Sequence, residues 1–412
     1  MSEFPVVIAE PLARSTGHQT WFAGNLVQAL LQAGLKPTLI TFDGMHDDAD
    51  LELRRQGATV HRILPLWPRP LRWLFKKITG ISSGTIASPS AVRHPRQIRM
   101  YNHIASIATV IRSSRYVPRG KRAVLHLLCP PAWPYLWFAN WIGHPQTRLL
   151  VTSFAAPQLF RGHSTLRRTM CDSGRLSVCV QTQALAEAWA ADVGTDAVHN
   201  IPLAFGDPVS PGDVETCRQK LNLPLDKPIV AVVGCIAPQK GYIELYAALR
   251  GMQKDFRILL VGDTPAWVSP DPEDVAREAG WLDHTILRRS FLPENLMPAL
   301  FGAVNAIAVL YREPNGSSGI LSLCQQYKVP VISTCFGELG AKVLAEHMGL
   351  TADPNDPKDV AQALQRVLAG DVPAPSPDAR TPTPASPGAW SWRDAAAAHL
   401  RLYAFLMGEV RQ

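Results

Sequence analysis

Residues Val230–Leu249 read VAVVGCIAPQKGYIELYAAL. The apolar run Val230–Val233 makes a strand buried on both faces, and Gly234 ends it. A turn follows, and Lys240–Gly241 opens an apolar helix. Strand, glycine turn and helix in that order are one arm of a βαβ unit, so the chain is expected to be α/β with parallel sheets. Glycine lets a backbone approach a ligand closely. A helix N-terminus beside a lysine suits a diphosphate, through free N–H groups, the helix dipole and the ammonium charge. Gly234, Lys240 and Gly241 are therefore candidate binding residues. The same residues also describe a loop that merely needs its glycines, with Lys240 in solvent.

Outward from that stretch, short apolar runs alternate with amphipathic segments. Strands are expected on its N-terminal side at Val6–Ala9, Pro37–Phe42, Val124–Leu128, Leu149–Phe154, Ser177–Gln181 and Ala197–Ile201, with helices including His18–Gln32, Gln97–Ser113 and Gln183–Asp192. From Ile229 onward the strands read Ile229–Val233, Arg257–Val261, Thr285–Leu287, Ala306–Leu310 and Val331–Ser333. The helices there read Gly241–Arg250, Glu294–Ala303, Gly319–Tyr327, Leu339–Glu346 and Pro357–Leu368. At 412 residues the chain is about two to three times a typical domain. Two doubly wound, Rossmann-like sheets follow, each with ligand-binding turns at the carboxyl ends of its strands. Residues 1–207 are expected to form the N-terminal domain and 208–372 the C-terminal domain, with the junction near Asp207–Leu225. The Pro/Ser/Thr-rich run 373–388 reads as an extended linker, and residues 389–412 as a final helix.

A second polar turn lies in YREPNGSSGILSLCQQYKVPVIST, Tyr311–Thr334. Asn315, Gly316, Ser317, Ser318 and Gly319 stand between a strand and an apolar helix. A serine there is a competent N-cap, and the same hydroxyl and N–H groups could instead hold a phosphate.

Charge is uneven along the chain. Residues 1–210 hold 22 Lys/Arg against 12 Asp/Glu, a balance of +10, and residues 211–412 hold 19 against 22, a balance of −3, which sum to the net +7. Between Glu52 and Asp172 there are 19 basic residues and no acidic one. A positive face that meets something anionic is expected on the first half. Within it, LWPRPLRWLFKKITG (Leu66–Gly80) mixes Trp67 and Trp73 with Arg72, Lys76 and Lys77, the composition of an interfacial membrane patch or of a solvated loop. Trp133, Trp137 and Trp141 share a helical face, which suits core packing, an acceptor pocket or a place at the lipid interface. No nucleic-acid motif accompanies the basic stretch, so no nucleic-acid partner is expected. Seven cysteines without CxxC pairs argue against a disulfide framework or zinc site, and no metal is expected. No apolar stretch approaches the roughly 20 residues that span a bilayer, and no secretory leader is read at the start. The expected location is the cytoplasm, peripherally on the inner face of the membrane.

Several motifs together resemble the GT-B glycosyltransferases of the family 4 (group 1) type. G-x-I-x-x-x-K-G (Gly234–Gly241), LLVGD (Leu259–Asp263), SSG-x8-KVPVI (Ser317–Ile332), CFGELG (Cys335–Gly340) and GLTADPNDPKDVAQAL (Gly349–Leu364) carry the likeness in the second half. STGHQTWFAGNLVQALLQAGLKPTLIT (Ser15–Thr41) and CVQTQALAEAWAADVGTDAVHNIPLAF (Cys179–Phe205) carry it more loosely in the first. SWRDAAAAHLRLY (Ser391–Tyr403) looks like the family's closing helix, which returns to the N-terminal domain.

The resemblance implies a GT-B fold, two Rossmann-like domains facing across a cleft. It implies transfer of a hexose from a nucleotide-sugar to a lipid-linked or anionic glycan acceptor, with retention, without a metal or other cofactor, as in polysaccharide biosynthesis. Lys240 matches the lysine that contacts the donor diphosphate. Gly17 and His18 fall in the first loop, Gly17 at the diphosphate and His18 as a polar contact or proton carrier. His126, a catalytic candidate, ends a buried strand where active sites gather, near a family histidine expected at about Leu128, and reads also as a satisfied core histidine; a second expected histidine is replaced near Phe154. The arginine five positions before the lysine is Cys235 here, and the paired glutamates fall at Asn315 and Leu323. These departures leave open a catalytically inactive relative that acts as a scaffold or activator of a partner glycosyltransferase.

Overall fold

The computed structural model describes residues 4–10, 18–42, 47–63, 70, 95–117, 121–128, 146–154, 157, 164–205, 210–264, 268–290, 292–312, 318–372 and 390–409. The chain divides into two compact units, residues 1–206 with 390–412, and residues 207–389.

The first unit runs β1 (Val6–Glu10), α1 (His18–Gln32), β2 (Thr38–Thr41), α2 (Asp47–Arg55), β3 (Thr59–Arg62), α3 (Pro95–Ser113), β4 (Ala123–Leu128), β5 (Thr147–Thr152), α4 (Ser164–Asp172), β6 (Leu176–Val180), α5 (Gln183–Val193) and β7 (Val198–Asn200). The strands form a parallel sheet in the order β3-β2-β1-β4-β5-β6-β7. Every residue of β1 and β4 is buried, as strands covered by helices on both faces must be. In α1, Phe22, Ala23, Leu26, Val27 and Leu30 are buried at helical spacing and form one apolar stripe.

In the second unit come α6 (Val214–Lys220), β8 (Ile229–Val233), α7 (Tyr242–Leu249), β9 (Arg257–Val261), α8 (Pro272–Glu278), β10 (Thr285–Arg288), α9 (Met297–Ala303), β11 (Ala306–Val309), α10 (Gly319–Tyr327), β12 (Val331–Thr334), α11 (Gly337–Ala345), β13 (Gly349–Ala352) and α12 (Pro357–Leu368). Its parallel sheet has the order β10-β9-β8-β11-β12-β13. Val230 and Val232 face a core shared with α7 and α12, through Leu245, Leu249, Val360 and Leu364. Ile229, Ala231 and Val233 face the opposite core, with Leu300, Phe301, Leu321 and Val343 from α9, α10 and α11. Alternate residues of one strand thus serve two apolar layers, and the expectation of two doubly wound sheets is met.

The chain then returns to the first unit as α13 (Trp392–Leu406). Ser391 and Asp394 close a reciprocal capping box at its start. The Phe205 N–H donates to the Trp390 carbonyl at 3.0 Å. Trp392 meets Trp21 and Phe22 of α1 at ring distances of 5.2 and 5.7 Å.

Sequence patterning missed β3, β13 and the short helices α2, α4, α6 and α8. The β3 segment TVHR has a single fully buried residue, Val60, and six of the nine residues of the α2 segment DDADLELRR are charged. Neither presents the apolar run by which strands and helices are recognised.

Candidate functional site

The order of the second sheet reverses between β8 and β11. Ligands of open α/β sheets bind outside the carboxyl ends of the strands at such a reversal. The loop leaving β8 and the loop leaving β11 meet there. Pro238–Lys240 makes a single 3₁₀ turn, and Gly241 follows at φ +79°, ψ +18°, a left-handed conformation. A Cβ on Gly241 would collide with the carbonyl of Leu310, so only glycine lets the two loops close on each other. The close pass sets Lys240 Nζ 3.9 Å from the centre of the Tyr311 ring, within cation–π reach. The Tyr311 hydroxyl lies 3.3 Å from Ser318 Oγ, and that oxygen accepts from the Leu321 N–H at 3.4 Å, capping α10. Tyr311 therefore links the entry of α7 to the entry of α10. First-turn N–H groups have no partner within their own helix, and the dipole end is positive. Two helix entries and an ammonium group form a setting for a polyanion.

Glu244 stands in the first turn of α7, buried, with Oε1 3.0 Å from Arg312 Nε. Its other oxygen, Oε2, is buried with no hydrogen-bond partner among the described residues. Burial pushes its carboxyl above the ordinary range, against the pull of its own N–H and of Arg312. Cys235 is partly buried, and burial together with the charge of Asp263 pushes its thiol up, so it stays neutral at pH 7. Gly234 has φ +112°, and its carbonyl occupies the space a Cβ on Gly262 would need. Leu323, on α10, packs against the apolar core and offers no hydrogen-bond acceptor.

Of the expected donor residues, Gly234, Lys240, Gly241, Ser318 and Gly319 thus gather around the β8 and β11 loops. Gly17, Asn315, Gly316 and Ser317 lie outside the described residues. So do Trp67, Arg72, Trp73, Lys76 and Lys77, the tryptophans at 133, 137 and 141, and the run 373–388. His18 opens α1, and its side chain is not among those described. Among the described residues, no group of three His, Cys, Asp or Glu side chains could hold a metal ion.

The expectation that His126 is a catalytic residue is corrected, and the alternative of a satisfied core histidine holds. Its ring is fully buried in β4, with Nδ1 2.8 Å from the Tyr403 hydroxyl and Nε2 2.7 Å from Thr152 Oγ1. Burial, helped by the nearby His399, holds its pKa well below the usual value. Both nitrogens are engaged inside the fold, so the ring fastens α13 to the sheet. Leu128 ends β4 as a buried apolar residue, and Phe154 packs edge-on against Phe22 at 5.2 Å. Neither supplies the polar contact of a histidine.

Tyr311, Arg312 and Glu244 are the site residues that sequence reading passed over. One signal was present: Glu244 is the lone acid in the otherwise apolar helix YIELYAAL.

The sequence profile of the family described as "Glycosyl transferases group 1" matches residues 227–370, the stretch that holds both loops. That match covers most of the second unit and about a third of the chain. A D-inositol 3-phosphate glycosyltransferase from Acidothermus cellulolyticus is 30% identical over 169 residues, 38% of this chain and 37% of that protein. The match spans well under half the length of that curated relative. Over nearly the whole chain the fold is similar to a glycosyltransferase from Rickettsia africae, with a TM-score of 0.66, 16% identity, and coverage of 99% of this chain and 100% of that one. It is also similar to Anabaena HepE, solved in complex with UDP, with a TM-score of 0.61, 14% identity and 98% of each chain covered. At these identities the structural likeness is one of fold.

Proposed function

We propose that the protein is a glycosyltransferase that moves a hexose from a nucleoside-diphosphate sugar to a lipid-linked or otherwise anionic glycan acceptor, with retention and without a metal. The observation that carries this reading is the junction of Lys240, Tyr311 and the entries of α7 and α10 at the sheet reversal, inside the stretch that matches the group 1 glycosyltransferases. Lys240 and the helix N–H groups neutralise the diphosphate as the C1–O bond breaks and its electron pair leaves with the nucleotide. The acceptor hydroxyl oxygen takes over C1, and its proton passes to the departing phosphate oxygen. The UDP complex of the similarly folded HepE supports a nucleotide ligand. Inositol 3-phosphate, in the name of the curated relative, is a small anionic polyol, consistent with an acceptor that the basic first half would attract. No helix among the described residues is long and apolar enough to cross a membrane. We place the protein in the cytoplasm, held to the inner face of the membrane by that basic stretch and serving polysaccharide biosynthesis.

Cys235 and Leu323, in place of an arginine and a glutamate, favour a second reading, a non-catalytic relative that activates a partner glycosyltransferase. Thermal unfolding against UDP, GDP, ADP, CMP and their sugar conjugates separates the two. A ligand at 100 times its dissociation constant stabilises by about 2.7 kcal/mol, so a bound donor raises the midpoint by several degrees. The enzyme reading expects a shift with one base that disappears in Lys240→Ala. A cooperatively folded sample that responds to none of them favours the activator.

A further inference from the structure

We propose that Arg312 is the second cation of the donor diphosphate site, oriented by Glu244 and replacing from the β11 loop the arginine that Cys235 lacks on the β8 loop. This inference rests on the nucleotide-sugar reading above. The diphosphate of a nucleotide-sugar carries two negative charges, and Lys240 matches only one of them. Cys235 is neutral and adds nothing. Arg312 follows Tyr311 directly, and the Tyr311 ring is the one Lys240 Nζ overlies at 3.9 Å. The Arg312 Nε is held by Glu244 in the first turn of α7. Both cations therefore flank the same helix entry, one from each side of the sheet reversal. The Arg312 side chain is half-exposed, and its terminal nitrogens have no described partner. A guanidinium tethered through Nε presents that remaining edge as a planar fork, which matches phosphate oxygens.

The burial of Glu244 points the same way. An exposed ion pair contributes little to stability, and an apolar residue in a buried position often serves stability at least as well as a charged one. Yet an acid occupies an apolar helix here, with one carboxylate oxygen on Arg312 and the other without a described partner. Such a group is costly to bury. Holding a guanidinium at the helix entry gives that cost a function. Arg312 is thus a binding residue and Glu244 a positioning residue.

The test is titration calorimetry with the tightest binder among UDP, GDP and ADP, alongside its nucleoside monophosphate. Arg312→Ala is expected to weaken the diphosphate about tenfold or more and the monophosphate much less, with the unfolding midpoint little changed. Glu244→Gln is expected to weaken the diphosphate less. The double variant Arg312→Ala/Glu244→Gln should bind no worse than Arg312→Ala alone, because Glu244 acts through Arg312. The double variant also removes the unpaired buried acid, so a loss that persists in it is not a folding defect. Adding Cys235→Arg to Arg312→Ala should restore much of the diphosphate affinity. Unchanged diphosphate binding in Arg312→Ala, with binding lost in Lys240→Ala, overturns the role of Arg312 and leaves the donor site standing. Additive losses in the double variant overturn the positioning role of Glu244. Wild-type protein that binds none of the three nucleotides overturns both this inference and the reading beneath it.

Discussion

Gly241 meets two constraints at once, a left-handed backbone and a carbonyl pressed where its Cβ would be. Gly251 shares only the first: its φ is +83°, and the space a Cβ would take there has nothing within 4 Å. Gly251→Ala should therefore cost about 1 kcal/mol, as an L-residue in a left-handed conformation ordinarily does. Gly241→Ala should cost about 3 kcal/mol and also part the two loops, losing the nucleotide-induced shift. Urea midpoints of both variants, with and without nucleotide, check the contrast. Lys240 and Gly241 were legible because their neighbours in sequence are their neighbours at the helix entry. Arg312 and Glu244 were not, because their pairing exists only once β8 and β11 lie side by side.

At the scale of elements, α13 depends on a small buried polar cluster. His399 Nδ1 lies 2.8 Å from the Ala395 carbonyl oxygen, and Tyr403 pairs with His126. Tyr403→Phe should leave the buried His126 Nδ1 without its partner and destabilise the first unit by about 1–3 kcal/mol, read as a lower unfolding midpoint. Burial holds His399 and His199 each at about 4 and keeps His126 low as well. On unfolding these groups return to about 6.5. Above pH 6.5 they are neutral in both states and their contribution to stability is complete. As the pH falls from 6.5 toward 4, the unfolded chain binds protons that the folded chain does not, and stability drops. Melting curves across that window should show the fall, and His399→Leu should make it shallower. The elements that were readable in advance, such as β8, β9, α10 and α12, are those whose apolar residues recur at the strand or helix period over their whole length. The edge strands β3 and β13 have one covered flank and four residues each, too little pattern to register.

For the molecule as a whole, the +10 of the first 210 residues against the −3 of the remainder predicts a salt-sensitive attraction to anionic bilayers. Vesicles containing phosphatidylglycerol should sediment with the protein at about 0.1 M salt and release it at about 0.5 M, as the Debye length shrinks. Equal binding to phosphatidylcholine vesicles would contradict an electrostatic origin. The charge imbalance needs only counting, and so it was legible without a fold. The discontinuity of the first unit was legible only through the resemblance of Ser391–Tyr403 to a closing helix, since nothing in the periodicity of α13 says which sheet it covers. That discontinuity carries a consequence for synthesis. The chain leaves the first unit at Gly206 and re-enters it at Trp390, so a ribosome delivers the whole second unit before α13 emerges. Until then Trp21 and Phe22 await Trp392, and His126 awaits Tyr403. The first unit is thus translated first and completed last. A stop codon placed just before Trp390 would release a finished second unit joined to a first unit that cannot close.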